Sequence, residues 1–150
     1  MFFIFCQFAL EKKADYLVLE VGLGGLFDAV NVLDADIAVL TSISRDHTEI
    51  LGKTFFQILL QKLGITRPYK KLITAFESDY LNQKVLQYTK EHQIDWTSLP
   101  DTLTLNYFQK NQALAALTIR EIGLEVESSE DYSPHGYDQT KRIGEASFFL

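Results

Sequence analysis

Cysteine, basic charge and long hydrophobic runs are all scarce in this chain of 150 residues. A single cysteine, Cys6, cannot close an intramolecular disulfide, which points to a reducing compartment such as the cytoplasm. Its place among phenylalanines reads as buried packing. Fourteen Lys and Arg against twenty Asp and Glu leave a net charge of −6, which argues against nucleic acid or an anionic membrane as the main partner. No apolar run approaches the roughly 20 residues needed to cross a bilayer. The apolar start, Met1 to Leu10, lacks the basic flank and cleavage site of a signal peptide and reads as a buried helix. A phosphate-binding loop is missing too. Gly52-Lys53-Thr54 imitates the end of one, but the first glycine it requires would fall at His47.

Apolar content of 47% with 13% aromatics is enough for one core, so the chain is expected to form one domain. Phe2 to Ala14 reads as a helix, with Phe5, Phe8 and Ala9 on one face. Tyr16–Val21 and Ile37–Thr41 are near-continuous runs of β-formers, as in strands buried on both sides. Thr54 with Gln57 forms a capping box for a helix that Gly64 and Pro68 stop. Leu72–Phe76 reads as a third strand, and Ser78 caps a helix with Leu81, Val85 and Tyr88 on one face. Short strands are expected at Ile94–Thr97 and Leu103–Leu105, then a helix over Tyr107–Ile122. Alternating strands and helices predict an α/β fold, doubly wound, with a mostly parallel sheet flanked by helices. From Ser128 the periodicity stops. Residues 1–127 are therefore expected to form the domain, and 128–150 a linker or irregular tail.

The chemistry concentrates in two loops that follow strands, where an open α/β sheet places its ligands. The first is Glu20-Val-Gly-Leu-Gly-Gly with Asp28 and Asn31, and these two side chains are expected to order the loop by bonding its backbone. A dinucleotide fingerprint fails here because its third glycine would fall at Phe27. A methyltransferase-like acidic-glycine loop is the rival enzyme class, but the next strand ends in Thr41-Ser42 without the acid that a ribose would need. Glu20, closing a strand of Leu and Val, would be costly to bury without a cation or donors. His47 reads from sequence alone as a hydrogen-bonding or general-base residue, and Lys62 as a solvated lysine at a helix C-terminus.

The order and spacing of Glu20 to Gly25, Asp28 and Asn31, Thr41-Ser42-Ile43, Asp46 to Gly52, Lys62, Gly64-Ile65 and Arg67-Pro68 resemble folylpolyglutamate synthase/dihydrofolate synthase. This is the folate branch of the Mur ligase family, and the likeness runs from about Phe2 to Ile122. It implies an ATP-dependent ligase that adds glutamate to folate or dihydropteroate through an acyl phosphate, in an enzyme usually monomeric. It implies that Glu20 and His47 hold Mg²⁺ between the ATP phosphates, and that Lys62 is carbamylated into an anion that can bind metal. Phe108-Gln109-Lys110-Asn111-Gln112 resembles the nucleotide-side helix, with Gln109 in place, Gln112 where the family has Asn, and Asn111 one step early. Arg45 stands where the family is apolar and would weaken Mg²⁺ binding. His92 and His135 match nothing and read as surface residues. The resemblance covers the central domain alone, so the chain is expected to be truncated at both ends relative to such an enzyme, and inactive by itself. A non-catalytic remnant or a module that pairs with another chain is the alternative from a different class.

Overall fold

The computed structural model describes residues 1–100 and 102–124, so the tail expected over 128–150 and His135 lie outside the described residues. Three parallel strands, β1 (Ile37–Leu40), β2 (Lys71–Thr74) and β3 (Asp95–Ser98), form a sheet in the order β1-β2-β3. The register pairs Ile37 with Lys71 and Lys71 with Asp95, so all three strands start level and their carboxyl ends form one rim. The described residues also form five α-helices, α1 (Phe2–Glu11), α2 (Thr48–Leu51), α3 (Phe55–Leu63), α4 (Asp79–Glu91) and α5 (Tyr107–Glu121), of which α3, α4 and α5 supply the core against the sheet. This is the expected α/β architecture, with the sheet buried between helical layers.

Strand alternation divides the core in two. Ala38, Leu40 and Leu72 face Leu59 and Leu63 of α3 and Leu81 and Val85 of α4. Ile37, Val39 and Ile73 face Leu114 and Leu117 of α5. Helix α3 starts where the sequence says it should. The Thr54 hydroxyl accepts from Gln57 N–H at 3.2 Å while the Gln57 amide oxygen accepts from Thr54 N–H at 3.1 Å. Ser78 caps α4 through Leu81 N–H. Helix α5 is pinned at both ends to the strand it crosses, by Lys110 to Glu77 beyond β2 and by Glu121 to Lys71 at its start. Between β2 and β3 the Trp96 indole N–H donates to the buried Thr74 hydroxyl at 3.0 Å.

Three expectations are corrected. Tyr16–Val21 is not a strand: among the described residues no strand pairs with it, and Tyr16, Leu17 and Val18 are exposed. An apolar run of β-formers becomes a strand only when an edge supplies its hydrogen bonds, and here none does. Leu103–Leu105 is not a strand either. Thr102–Thr104 forms a 3₁₀ turn, and the chain then enters α5 through a capping box of Asn106 and Gln109. Helix α1 ends at Glu11, and of its expected buried face only Ala9 is buried, while Phe5 and Phe8 are exposed and Cys6 is half-buried. No helix among the described residues is long and apolar enough to cross a membrane.

Candidate functional site

The loop after Glu20 takes its shape from Asp28. Its Oδ2 accepts from the backbone N–H groups of Gly22 and Leu23, each at 3.0 Å, and its Oδ1 accepts from Val30 at 2.9 Å. The last of these caps a 3₁₀ turn over Ala29–Val32. The bond from Val30, with those from Leu23 and Gly22, holds the Asp28 carboxyl below its ordinary pKa, although desolvation pushes the other way. Asn31 fastens the far end of the loop, its amide N–H₂ donating to Leu26 O at 2.8 Å and to Gly64 O at 3.1 Å. Both residues do what their type and position suggested.

The loop lies directly on the helices that follow β1. Leu26 N–H donates to Gln61 O of α3 at 2.8 Å. At Gly25, with φ +148°, an added Cβ would stand 2.8 Å from Gln61 O and 3.2 Å from Lys62 Cα. At Gly24 it would stand 2.7 Å from Leu51 Cδ2. Only glycine lets the backbone come so close. The glycine loop, α2 and the last turn of α3 thus abut, around a depression of about 260 Å³ lined by Leu23, Phe27, Asp28, Ala29, Ile50, Leu51 and Gln61.

His47 leads into α2 with a left-handed backbone, φ +49°, and its carbonyl accepts from Ile50 and Leu51 at 2.9 Å. A non-glycine residue held there is strained, a feature that gathers at functional sites. Its ring sits between two carboxylates, with Nε2 3.8 Å from Asp46 and Nδ1 3.9 Å from Glu49, too far for hydrogen bonds. Glu20 is exposed and has no side-chain partner among the described residues, so its case as a costly buried carboxylate does not hold. Lys62 is half-buried in the last turn of α3, and its ammonium also lacks a partner among the described residues.

No group of three or more His, Cys, Asp and Glu that could hold a metal occurs among the described residues. Mg²⁺ is a hard ion that commonly takes one or two carboxylates and completes its shell with phosphate oxygen and water. The Glu20 carboxylate, exposed and without a side-chain partner among the described residues, suits it, whereas the His47 imidazole is a softer donor beside the Asp46 and Glu49 carboxylates. Arg45, the cation expected to disturb such a site, places its guanidinium 4.9 Å above the Phe55 ring centroid.

The model of the family described as Mur ligase middle domain matches residues 4–127. The chain belongs to the Mur ligase middle-domain family. A dihydrofolate synthase/folylpolyglutamate synthase of Bacillus subtilis is 35% identical over 101 residues, 67% of this chain and 24% of that protein. Among solved structures, Escherichia coli FolC in complex with ADP, without folate substrate, is 31% identical over 73% of this chain and 32% of that one, with TM-score 0.61. The apo form of L. casei FPGS shares the fold, with TM-score 0.69 over 80% of this chain and 38% of that one, at 22% identity. The chain spans about a quarter of the length of the curated relative, 24%.

In this Mur ligase middle domain the three residues matched to a nucleotide-side helix sit in the first turns of α5, and none of them lines the depression that Gln61 borders. The Gln109 amide oxygen accepts from Asn106 N–H at 3.0 Å, and Gln109 N–H donates to Asn106 Oδ1 at 3.0 Å. Gln109 is therefore engaged as a helix cap. Asn106-x-x-Gln109 is the counterpart of the Thr54-x-x-Gln57 box that located α3, with Asn in place of Thr at the N-cap. Asn111 is half-buried and Gln112 exposed, with about 100° of helix rotation between them. His92 is on the surface, stacked on Tyr88 at 4.0 Å between ring centroids. Arg67, quoted above only as part of a motif, makes four hydrogen bonds at the base of the glycine loop.

Proposed function

We propose that this chain supplies the metal-holding and lysine-bearing part of an ATP-dependent ligase that adds glutamate to folate or dihydropteroate, acting as a monomer in the cytoplasm. The observation that carries this reading is the junction of glycine loop, α2 and α3. It brings the segment after Glu20, the turn of His47 and the turn of Lys62 into one assembly. The 35% identity to the Bacillus subtilis synthase supports it at the level of sequence.

Glu20 and His47 would hold Mg²⁺, which neutralises phosphate charge as the γ-phosphoryl group moves. In the proposed reaction an acceptor carboxylate oxygen bonds to the γ-phosphorus of ATP and ADP leaves. The glutamate amine then attacks the acyl carbon, phosphate departs, and the nitrogen loses a proton. Lys62 as an ammonium would repel the metal. Reaction of its neutral amine with CO₂, with loss of a proton, gives a carbamate of the opposite charge. Asn111 and Gln112 would lie on the nucleotide side, with Gln109 contributing through the helix cap that it forms.

The test is a chimaera in which this chain replaces the segment it matches in the Bacillus subtilis synthase, assayed for ATP-dependent addition of glutamate to a dihydropteroate or folate acceptor. Glu20→Ala and His47→Ala should each lower turnover by about 10²-fold or more, the scale for losing one preorganised electrostatic group. A folded, active chimaera whose turnover is indifferent to both substitutions would refute the assignment.

A further inference from the structure

The carbonyls at the end of α3 are all engaged. Leu60 O accepts from Gly64 N–H in the ordinary helical pattern, Gln61 O from Leu26 N–H, Lys62 O from Ile65 N–H, and Leu63 O from Thr66 N–H and its hydroxyl. Beyond them Gly64 O accepts from Asn31 at 3.1 Å and from Arg67 Nη1 at 3.3 Å. Arg67 Nη1 also donates to Thr66 O at 3.0 Å, while Nη2 donates to Asn31 O at 2.7 Å and Asn31 Oδ1 at 3.0 Å. The guanidinium thus closes the helix end, where a cation is favoured by the helix dipole, and grips Asn31 by both its oxygens. Asn31 in turn uses its N–H₂ on Leu26 O and Gly64 O. One residue pair, 36 apart in sequence, staples the glycine loop to the helix that carries Lys62.

We propose that Arg67 is a positioning residue, which through Asn31 fixes the Gly22–Asn31 loop, and with it Glu20, against the turn of Lys62. The chain of bonds is continuous. Asn31 N–H donates to Asp28 O at 3.1 Å, so Asn31 belongs to the turn that Asp28 caps, and Asp28 holds Gly22 and Leu23, two and three residues beyond Glu20. Loosening Arg67 frees Asn31, frays that turn and releases the segment carrying the carboxylate. Lysine cannot substitute, because the grip needs two N–H groups in a fixed fork. The functional part of the proposal rests on the reading of Glu20 and Lys62 given above, whereas the stapling itself does not.

Amide hydrogen exchange on the full 150-residue chain tests it. In Arg67→Ala, exchange at Leu26, Gly22 and Leu23 should speed up by about tenfold or more, as expected for losing charge-assisted hydrogen bonds at one locus. Ile73 and Val85, in the core, should exchange as in the parent. Arg67→Lys keeps the charge at the helix end and gives the same comparison if the alanine variant does not fold. Asn31→Ala should reproduce the pattern, and the double variant should add little to either single one. Equal acceleration of loop and core amides would make Arg67 a general stabiliser and overturn the proposal, as would no acceleration. In the chimaera, Arg67→Lys should lower kcat with the KM for ATP unchanged, and a rise in KM alone would overturn the link to Glu20. If the parent chimaera has no activity while the exchange pattern appears, the functional reading fails and the staple stands.

Discussion

Gly25→Ala probes the seating of the glycine loop most directly. The new methyl would meet Gln61 O at 2.8 Å, Ile65 Cγ2 at 2.9 Å and Lys62 Cα at 3.2 Å, and two of these atoms belong to the α3 backbone. Such crowding costs about 1–3 kcal/mol when neighbours must shift. The φ of +148° adds strain of about 1–3 kcal/mol for a residue with a Cβ. Against these, alanine narrows the unfolded ensemble by about 0.4–1 kcal/mol in favour of the variant. The balance is a loss of about 1–6 kcal/mol, centred near 3, if the loop stays in place. Gly123→Ala isolates the conformational part, because its φ is +78° and nothing lies within 4 Å of the added atom. It should cost only about 1 kcal/mol. In urea unfolding the Gly25 variant should lose about 1 M or more of midpoint and the Gly123 variant about half of that or less, with unchanged m-values. Should the loop lift away instead, the Leu26–Gln61 hydrogen bond would break and Leu26 exchange would rise even where the midpoint falls less. Equal midpoint losses with Leu26 protection retained would refute the close packing of loop on helix.

Two further outcomes follow from charge. Asp28 is held below its ordinary pKa by backbone N–H donors, Val30 first, so its contribution is present above the unfolded value of about 3.9 and is lost as pH falls through the lowered folded value. Asp28→Asn should therefore be less stable at neutral pH and show a shallower acid decline, measured as urea midpoints between about pH 2 and 6. Lys71 reaches Asp95 at 3.0 Å and Glu121 at 3.1 Å, and its hydrogen bond to Asp95 is the main cause of its raised pKa. Its stabilisation is present below the unfolded pKa of about 10.4 and is lost as pH rises through the higher folded value. Lys71→Met should cost about 1 kcal/mol at neutral pH, and less in high salt.

The sequence carried the layered fold because the signals for it are local. Thr54 with Gln57 and Ser78 mark helix starts by bonds that span three residues, and tertiary contact does not alter them. Ile37–Thr41 and Leu72–Phe76 read as strands, and the structure forms strands at Ile37–Leu40 and Lys71–Thr74. Within the site, Asp28 and Asn31 behaved as expected because a short polar side chain in a glycine loop has few partners beyond the neighbouring backbone. Glu20 could be read as a candidate ligand but not as buried, since burial depends on what stands beside the segment.

Tertiary structure decided what depends on a distant partner. Tyr16–Val21 has a composition close to that of β1, yet among the described residues β1 gains β2 as a neighbour and Tyr16–Val21 gains none, so one is a strand and the other is not. Gln109 caps α5, and only the fold shows its amide oxygen accepting from the Asn106 backbone N–H at 3.0 Å. Arg67 reaches across 36 residues to Asn31, and no period or motif spacing encodes that meeting. Local hydrogen bonding is written in the order of residues. Pairing between segments far apart in the chain exists only once the core has brought them together.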